Sequence, residues 1–146
     1  MKVHHLNCAT MCPYGGRLLS GSGPLFAPTK LVCHCLLIET SEGLVLVDAG
    51  LGTRDVESPE RTLGREFLLF AQPVRDPAET ALRQVEGLGF SRDDVRHIVL
   101  THCDLDHSGG IVDFPKATVH VHALEKEAVV HPKTRIERTR YAKAHF

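Results

Sequence analysis

Four side chains of metal-binding type crowd into one short run of this chain. They are His102, Asp104, Asp106 and His107, within Thr101-His102-Cys103-Asp104-Leu105-Asp106-His107-Ser108-Gly109-Gly110. Imidazole nitrogen and carboxylate oxygen are the donors that hold zinc and related ions, at about 2.0–2.2 Å. A packed strand end has no use for so many of them. The run follows His97-Ile98-Val99-Leu100, whose near-continuous apolar character is that of a buried strand. If the backbone stays extended, His102, Asp104 and Asp106 point to one side, because side-chain direction repeats every second residue. His107 breaks the alternation and faces a second point. The spacing therefore suits two adjacent metals better than one. Cys103 points the other way and reads as packing.

The elements that must position this run can be traced along the chain. Val3 to Asn7 reads as a short strand, and Cys8 to Lys30, rich in Gly and Pro, as a long loop. Leu31–Glu39 and Leu44–Val47 form a hairpin about Ser41-Glu42-Gly43. Ser58-Pro59 opens a helix whose Leu63, Phe67 and Phe70 recur at helical spacing and read as core. Asp76-Pro77-Ala78-Glu79 opens another, with Asp76 as cap and Glu79 closing a capping box. Ala78, Ala81, Leu82 and Val85 make its apolar stripe, and Gly87 and Gly89 end it. His97–Thr101 is a central strand, Ala117–His122 another, and Ala123–Val130 a helix stopped near Pro132. Gly109-Gly110 is expected to turn the chain tightly after the metal loop. This order predicts an α/β domain: a mixed sheet with helices on one face.

Composition narrows the function. With 42% hydrophobic and 24% charged residues over 146 positions, the chain is an ordinary globular sequence and one domain, 1–146, is expected. A net charge of −1 offers no global attraction to nucleic acid or an anionic membrane. The basic tail Lys133, Arg135, Arg138, Arg140 and Lys143 reads as a solvated helix face. Five cysteines, an odd number, argue against a disulfide framework. Cys33 and Cys35 share a strand face and read as small core residues, while Cys8 and Cys12 lie toward the predicted site mouth. Met1-Lys2-Val3-His4-His5 lacks an apolar signal core, and no apolar run approaches the ~20 residues of a membrane span. The expected compartment is the cytoplasm.

The motif His-x-Asp-x-Asp-His followed by Ser-Gly-Gly, after an Ile-Val-Leu-Thr strand, resembles the metallo-β-lactamase-fold hydrolases, whose usual form is His-x-His-x-Asp-His. Leu44-Val45-Leu46-Val47-Asp48-Ala49-Gly50 is similar to the family's strand ending in an Asp-x-Gly turn, and Cys33–Glu39 to the strand before it. The nearest likeness is to the branch that opens lactones and small esters, acyl-homoserine lactonases among them. The resemblance implies the first half of an αββα sandwich, a single but truncated domain. It implies two divalent metals, zinc first, with Mn2+ or Fe2+ as alternatives. His102 and Asp104 would serve one metal, Asp106 and His107 the other, with Asp48 supporting them from behind. Asp106 would also be catalytic, holding the proton of a metal-bound hydroxide that attacks a small ester or lactone.

Two departures from the family follow. Asp104 stands where a second His is usual: a harder ligand of shorter reach, it would either bind, favouring manganese or iron somewhat more, or stand behind the ligands without touching the metal. The family's remaining ligands come from a second half, so each metal has two ligands here where a catalytic zinc usually has three and a water. His120 and His122, on one strand face, are an alternative source of donors, although His-x-His on a strand is ordinarily an edge pair. The inner sheet face of a half-domain would be apolar and exposed, predicting self-association or pairing with a second half. The leading expectation is a metallo-hydrolase. The alternatives are a non-catalytic half-domain that needs a partner chain, and a metal-binding module without turnover.

Overall fold

The structure, a computed structural model, describes residues 1–141 and 145–146. Its elements in chain order are β1 (Lys2–Met11), α1 (Gly16–Ser20), β2 (Leu31–Thr40), β3 (Gly43–Val47), α2 (Thr53–Glu57), α3 (Pro59–Thr62), α4 (Gly64–Ala71), α5 (Ala81–Gly87), β4 (Val95–Val99), α6 (Leu105–Ser108), β5 (Thr118–His120), α7 (Ala123–Val130) and α8 (Arg135–Arg140). Among the described residues the strands form one five-stranded sheet in the order β1-β2-β3-β4-β5. β1, β2 and β3 run antiparallel, and β3, β4 and β5 parallel. The mixed sheet with helices on one face is thus present as the element order predicts.

Register explains which face is buried. β2 and β3 pair Leu37 with Leu46, and β3 and β4 pair Leu46 with Ile98. Alternation then sets Leu6, Cys35, Leu37, Leu44, Leu46 and Ile98 on one side, where Ala81 and Val85 of α5 and Phe114 pack on them. On the opposite side Leu36, Ile38, Val45 and Val47 are only half-buried, and Val32 is 52% and Val99 40% exposed. Two histidine pairs also lie on strands: His5 Nδ1 is 2.9 Å from His34 Nε2, and His97 Nδ1 is 3.0 Å from His120 Nε2. No described element covers this face. No helix among the described residues is long and apolar enough to cross a membrane.

Several local expectations are corrected. β1 continues to Met11 and the stretch to Lys30 contains α1, so the loop is shorter than expected and is interrupted by one helical turn. The helix expected from Ser58 comes in two pieces, because Gly64 adopts φ +77° between α3 and α4. Phe70 is 70% exposed and is not core. Asp76 caps only the 3-10 turn Pro77–Glu79, and α5 starts later under Thr80, whose hydroxyl accepts from Arg83 N–H. Glu79 is drawn away from capping by the Thr10 hydroxyl, which donates to it at 2.8 Å. β4 lies two residues earlier than expected. The five cysteines are all free, and Cys33 and Cys35 sit in the core with sulfurs 4.0 Å apart.

Candidate metal centre

The site is built where β3 and β4, parallel neighbours, end side by side. β3 runs into Asp48, whose φ of +57° turns the backbone sharply. Its N–H donates to Val99 O, joining the two strand ends. The Asp48 carboxylate then gathers the metal motif. Oδ1 accepts from Thr101 N–H at 2.8 Å, and Oδ2 accepts from the Thr101 hydroxyl at 2.7 Å and from His107 Nδ1 at 3.0 Å. With its own proton given to Asp48, the Thr101 hydroxyl accepts from His102 Nδ1 at 2.9 Å. Asp48 thereby orients both histidines, one directly and one through Thr101. In each ring Nδ1 is occupied and Nε2 makes no hydrogen bond among the described residues, so that both rings could hold a metal through Nε2, the usual arrangement behind ligating histidines.

Asp106 and His107 do not continue an extended strand, as the alternation rule supposes; they lie in α6. The chain is extended only through Asp104, and the helical turn brings Asp106 beside His107. Asp106 Oδ2 is 3.5 Å from His107 Nε2, and Asp104 Oδ2 is 3.8 Å from His102 Nε2. Two donors on one tetrahedral ion at about 2.1 Å stand about 3.4 Å apart. Each pair therefore fits the edge of a coordination tetrahedron, and ring centroids of His102 and His107 only 4.0 Å apart put the two edges next to each other. Among the described residues, however, no three His, Cys, Asp or Glu side chains are gathered closely enough to hold an ion by themselves.

His120 and His122 do not complete the set. His120 is engaged with His97, and His122 caps α7, its Nδ1 accepting from Leu124 N–H. Gly109 and Gly110 do not turn the chain through positive φ; they enter a 3-10 turn with ordinary angles. Glycine is needed there for closeness. A Cβ at Gly109 would strike the Asp55 carboxylate and one at Gly110 the carbonyl of Ala49. The Gly110 N–H donates to Gly50 O at 3.0 Å, and the Ala49 N–H to His107 O at 2.9 Å.

The electrostatics follow from these contacts. Burial alone would raise the Asp48 carboxyl, but bonds from His107 and Thr101 outweigh it and hold it below the usual carboxylate range. Burial works against charge on His107, yet its bonds to Asp48 and Cys33 and the charge of Asp106 push its pKa up to about 10, so a metal at Nε2 would have to displace the proton that this nitrogen otherwise carries. Burial, with the charges of Glu125 and Asp104, lifts the Cys103 thiol to about 11, in keeping with a packing role.

Beside the motif lies a cleft of about 310 Å³, walled by Met11, Pro13, Leu31, Phe67 and Phe70 and floored by Asp104, Asp106 and Arg140. Phe67 and Phe70 both face this cleft; Phe67 also packs against the core as its spacing suggests, and Phe70 does not. Arg140 of the basic tail is paired as well as partly solvated: its Nε donates to Asp104 Oδ1 at 2.8 Å while its side chain stays 37% exposed. Lys143 of the same tail lies outside the described residues. A buried chain was also missed: His145 bridges Asp55 Oδ1 at 3.0 Å and Ser108 Oγ at 3.2 Å, all three nearly without exposure. Thr101, Arg140 and His145 carry no local pattern that would single them out. The one available signal is that Thr101 directly precedes the first histidine.

Residues 28–145 match the model of the metallo-beta-lactamase superfamily, and the chain belongs to that superfamily. It is 48% identical to a probable metallo-hydrolase of Mycobacterium tuberculosis, over 100% of this chain and 42% of that protein. An N-acyl homoserine lactonase of Bacillus thuringiensis is 30% identical over 70% of this chain and 41% of its own. Among solved structures, an N-acyl homoserine lactone hydrolase with N-hexanoyl-L-homoserine bound at its catalytic metal center superposes with a TM-score of 0.76. It is 24% identical, covers 99% of this chain and 55% of its own, and establishes the likeness of fold. This chain spans less than half the length of both sequence relatives.

Proposed function

We propose that this chain supplies the metal-binding half of a metallo-hydrolase that opens a lactone or another small ester. The observation that supports this most is the pair of donor edges, His102 with Asp104 and Asp106 with His107, side by side and oriented from behind by Asp48. The resemblance to lactonases and the cleft beside the motif support the substrate class. Divalent ions held there, zinc foremost, would polarise a carbonyl and make a water acidic near neutral pH. Asp106, half-buried and lining the cleft, would be the carboxylate that holds that water's proton. The apolar wall of Met11, Leu31, Phe67 and Phe70 would receive the hydrophobic part of the substrate. Third ligands for each metal would come from further sequence of the kind the longer relatives possess. A second half, or a second copy, would seat on the open sheet face that bears Val32 and Val99.

One observation favours a second reading, a metal-binding module without turnover: each donor edge has only two protein ligands among the described residues. Metal content of the purified chain and ring opening of N-hexanoyl-homoserine lactone, measured together, separate the two. About two zinc ions per chain with ring opening supports the hydrolase, and zinc without ring opening supports the module. His102→Ala should lower the metal content under either reading; full retention would refute the ligand assignment.

A further inference from the structure

Asp104 is misplaced for the task its position offers. It is the N-cap residue of α6, where an aspartate side chain ordinarily accepts from the first helical N–H groups, yet it makes no such bond. Arg140 takes it instead. Nε donates to Oδ1 at 2.8 Å and Nη2 reaches the same oxygen, so both arms of the fork close on one atom. Oδ2 is left toward His102 Nε2. The arginine is itself held. Its guanidinium lies 5.3 Å from the centroid of the Tyr141 ring, and the Tyr141 hydroxyl donates to Glu125, whose carboxylate also accepts from Cys103 N–H in the metal loop.

We infer that Arg140 is a positioning residue for the metal centre, which pins one oxygen of Asp104, cancels its charge, and leaves the other oxygen as a single neutral-paired donor beside His102. This rests on the metal-centre reading above. Two independent features carry it. The first is repetition: His107 has Nδ1 tied to Asp48 and Nε2 free, His102 has Nδ1 tied to Thr101 and Nε2 free, and Asp104 has Oδ1 tied to Arg140 and Oδ2 free. The second is charge. Asp104 stands where the family motif has an uncharged imidazole, and an unpaired carboxylate there would add a second negative charge near Asp106. The Asp104–Arg140 pair is neutral as a unit, so a carboxylate serves at a position built for a histidine. An ion pair made only for the surface has no reason to leave its remaining carboxylate oxygen facing the open nitrogen of a neighbouring histidine.

The alternative consequence of the same contact is that the guanidinium repels a metal, and the sign of one measurement decides. Zinc affinity of the whole chain is measured by competition with a chromophoric chelator for wild type, Arg140→Gln, Arg140→Lys, Asp104→His and the double variant Asp104→His/Arg140→Gln. Loss of a partner behind a ligand ordinarily costs about 10–100-fold in metal affinity, and Arg140→Gln should weaken zinc binding by that factor. Arg140→Lys, which keeps the charge without the fork, should fall between. In the Asp104→His background the Gln substitution should have no effect, because an imidazole needs no charge partner. Unchanged or tighter zinc binding by Arg140→Gln overturns the inference, as does an equal loss in both backgrounds, which would mark a role in folding alone. Zinc affinity that is absent in wild type would instead overturn the metal-centre reading itself. Thermal melts of the same variants, followed by circular dichroism, separate lost folding from lost binding.

Discussion

Replacing Gly110 with alanine tests whether the metal loop is held by backbone-to-backbone packing. The added Cβ would meet the carbonyl of Ala49, with the Ala49 Cβ 3.2 Å away. These are main-chain neighbours of Asp48, and none can swing aside as the end of a long side chain could. Gly110 lacks a positive φ, so alanine's own conformation is not strained and the cost is purely one of space. Overpacking of this kind costs about 1–3 kcal/mol. Reduced freedom of the unfolded chain returns about 0.4–1 kcal/mol, leaving a net loss of about 1–2 kcal/mol. Urea unfolding with a slope of about 2 kcal/mol per M would show this as a midpoint lower by about 0.5–1 M. Gly87→Ala is the control, since a Cβ there meets nothing within 4 Å and the residue sits in α5. It should gain about 0.4–1 kcal/mol. If Gly110→Ala proved no less stable than Gly87→Ala, the close approach would not constrain the loop and the reasoning would be refuted. Zinc binding should weaken along with stability, because Ala49 is bonded to His107 O.

Other perturbations have equally definite outcomes. Asp48→Asn keeps a side chain suited to positive φ but removes the charge that orients His107 and Thr101; zinc affinity should drop about 10–100-fold in a chelator competition. Asp55 is buried, which would raise its carboxyl, but bonds from His145 and Gly52 hold it below the ordinary value. Its stabilisation is therefore fully present above the unfolded pKa of about 3.9 and is lost as pH falls through the lower folded value. Urea midpoints measured down that range should flatten in Asp55→Asn, which should also be less stable at neutral pH. Phe70→Ser should change the urea-derived stability by less than about 0.5 kcal/mol, because Phe70 faces the cleft and solvent. Leu37→Ala, in the centre of the core, should cost about 2–5 kcal/mol in the same assay.

What the sequence makes legible follows from the range of the forces involved. The β2–β3 hairpin and α7 are written in neighbouring residues, through alternation and turn chemistry, and both appear where expected; the metal motif is legible as ligand type but not as geometry, since Asp106 and His107 lie in α6 and not on an extended strand end. Asp48 is legible through its turn and through the resemblance, and its carboxylate does reach His107. The errors arise where a distant residue outbids a local preference. Glu79 leaves its capping position because Thr10, on β1, donates to it. Asp104 leaves its cap for Arg140. Phe70 keeps helical spacing with Leu63 but not its burial, since Gly64 breaks the helix between them and resets the phase. His145, Asp55 and Ser108 meet across the chain with no periodicity to announce them.

The parallel pairing of β3 with β4 also sets an order of assembly. β1, β2 and β3 form a meander in which β2 and β3 close over residues 41–42 and β1 joins across residues 12–30, whereas β4 can join only after the longer stretch from Val47 to Val95 has been gathered in. Loop-closure entropy is met before such distant contacts reward it. Asp48 belongs to the early meander and its partners Thr101 and His107 to the late arrival, so the metal centre forms at the seam between them. Substitutions at Thr101 should thus speed unfolding in a chevron measurement and leave the refolding rate nearly untouched, whereas substitutions in the β2–β3 hairpin should slow refolding.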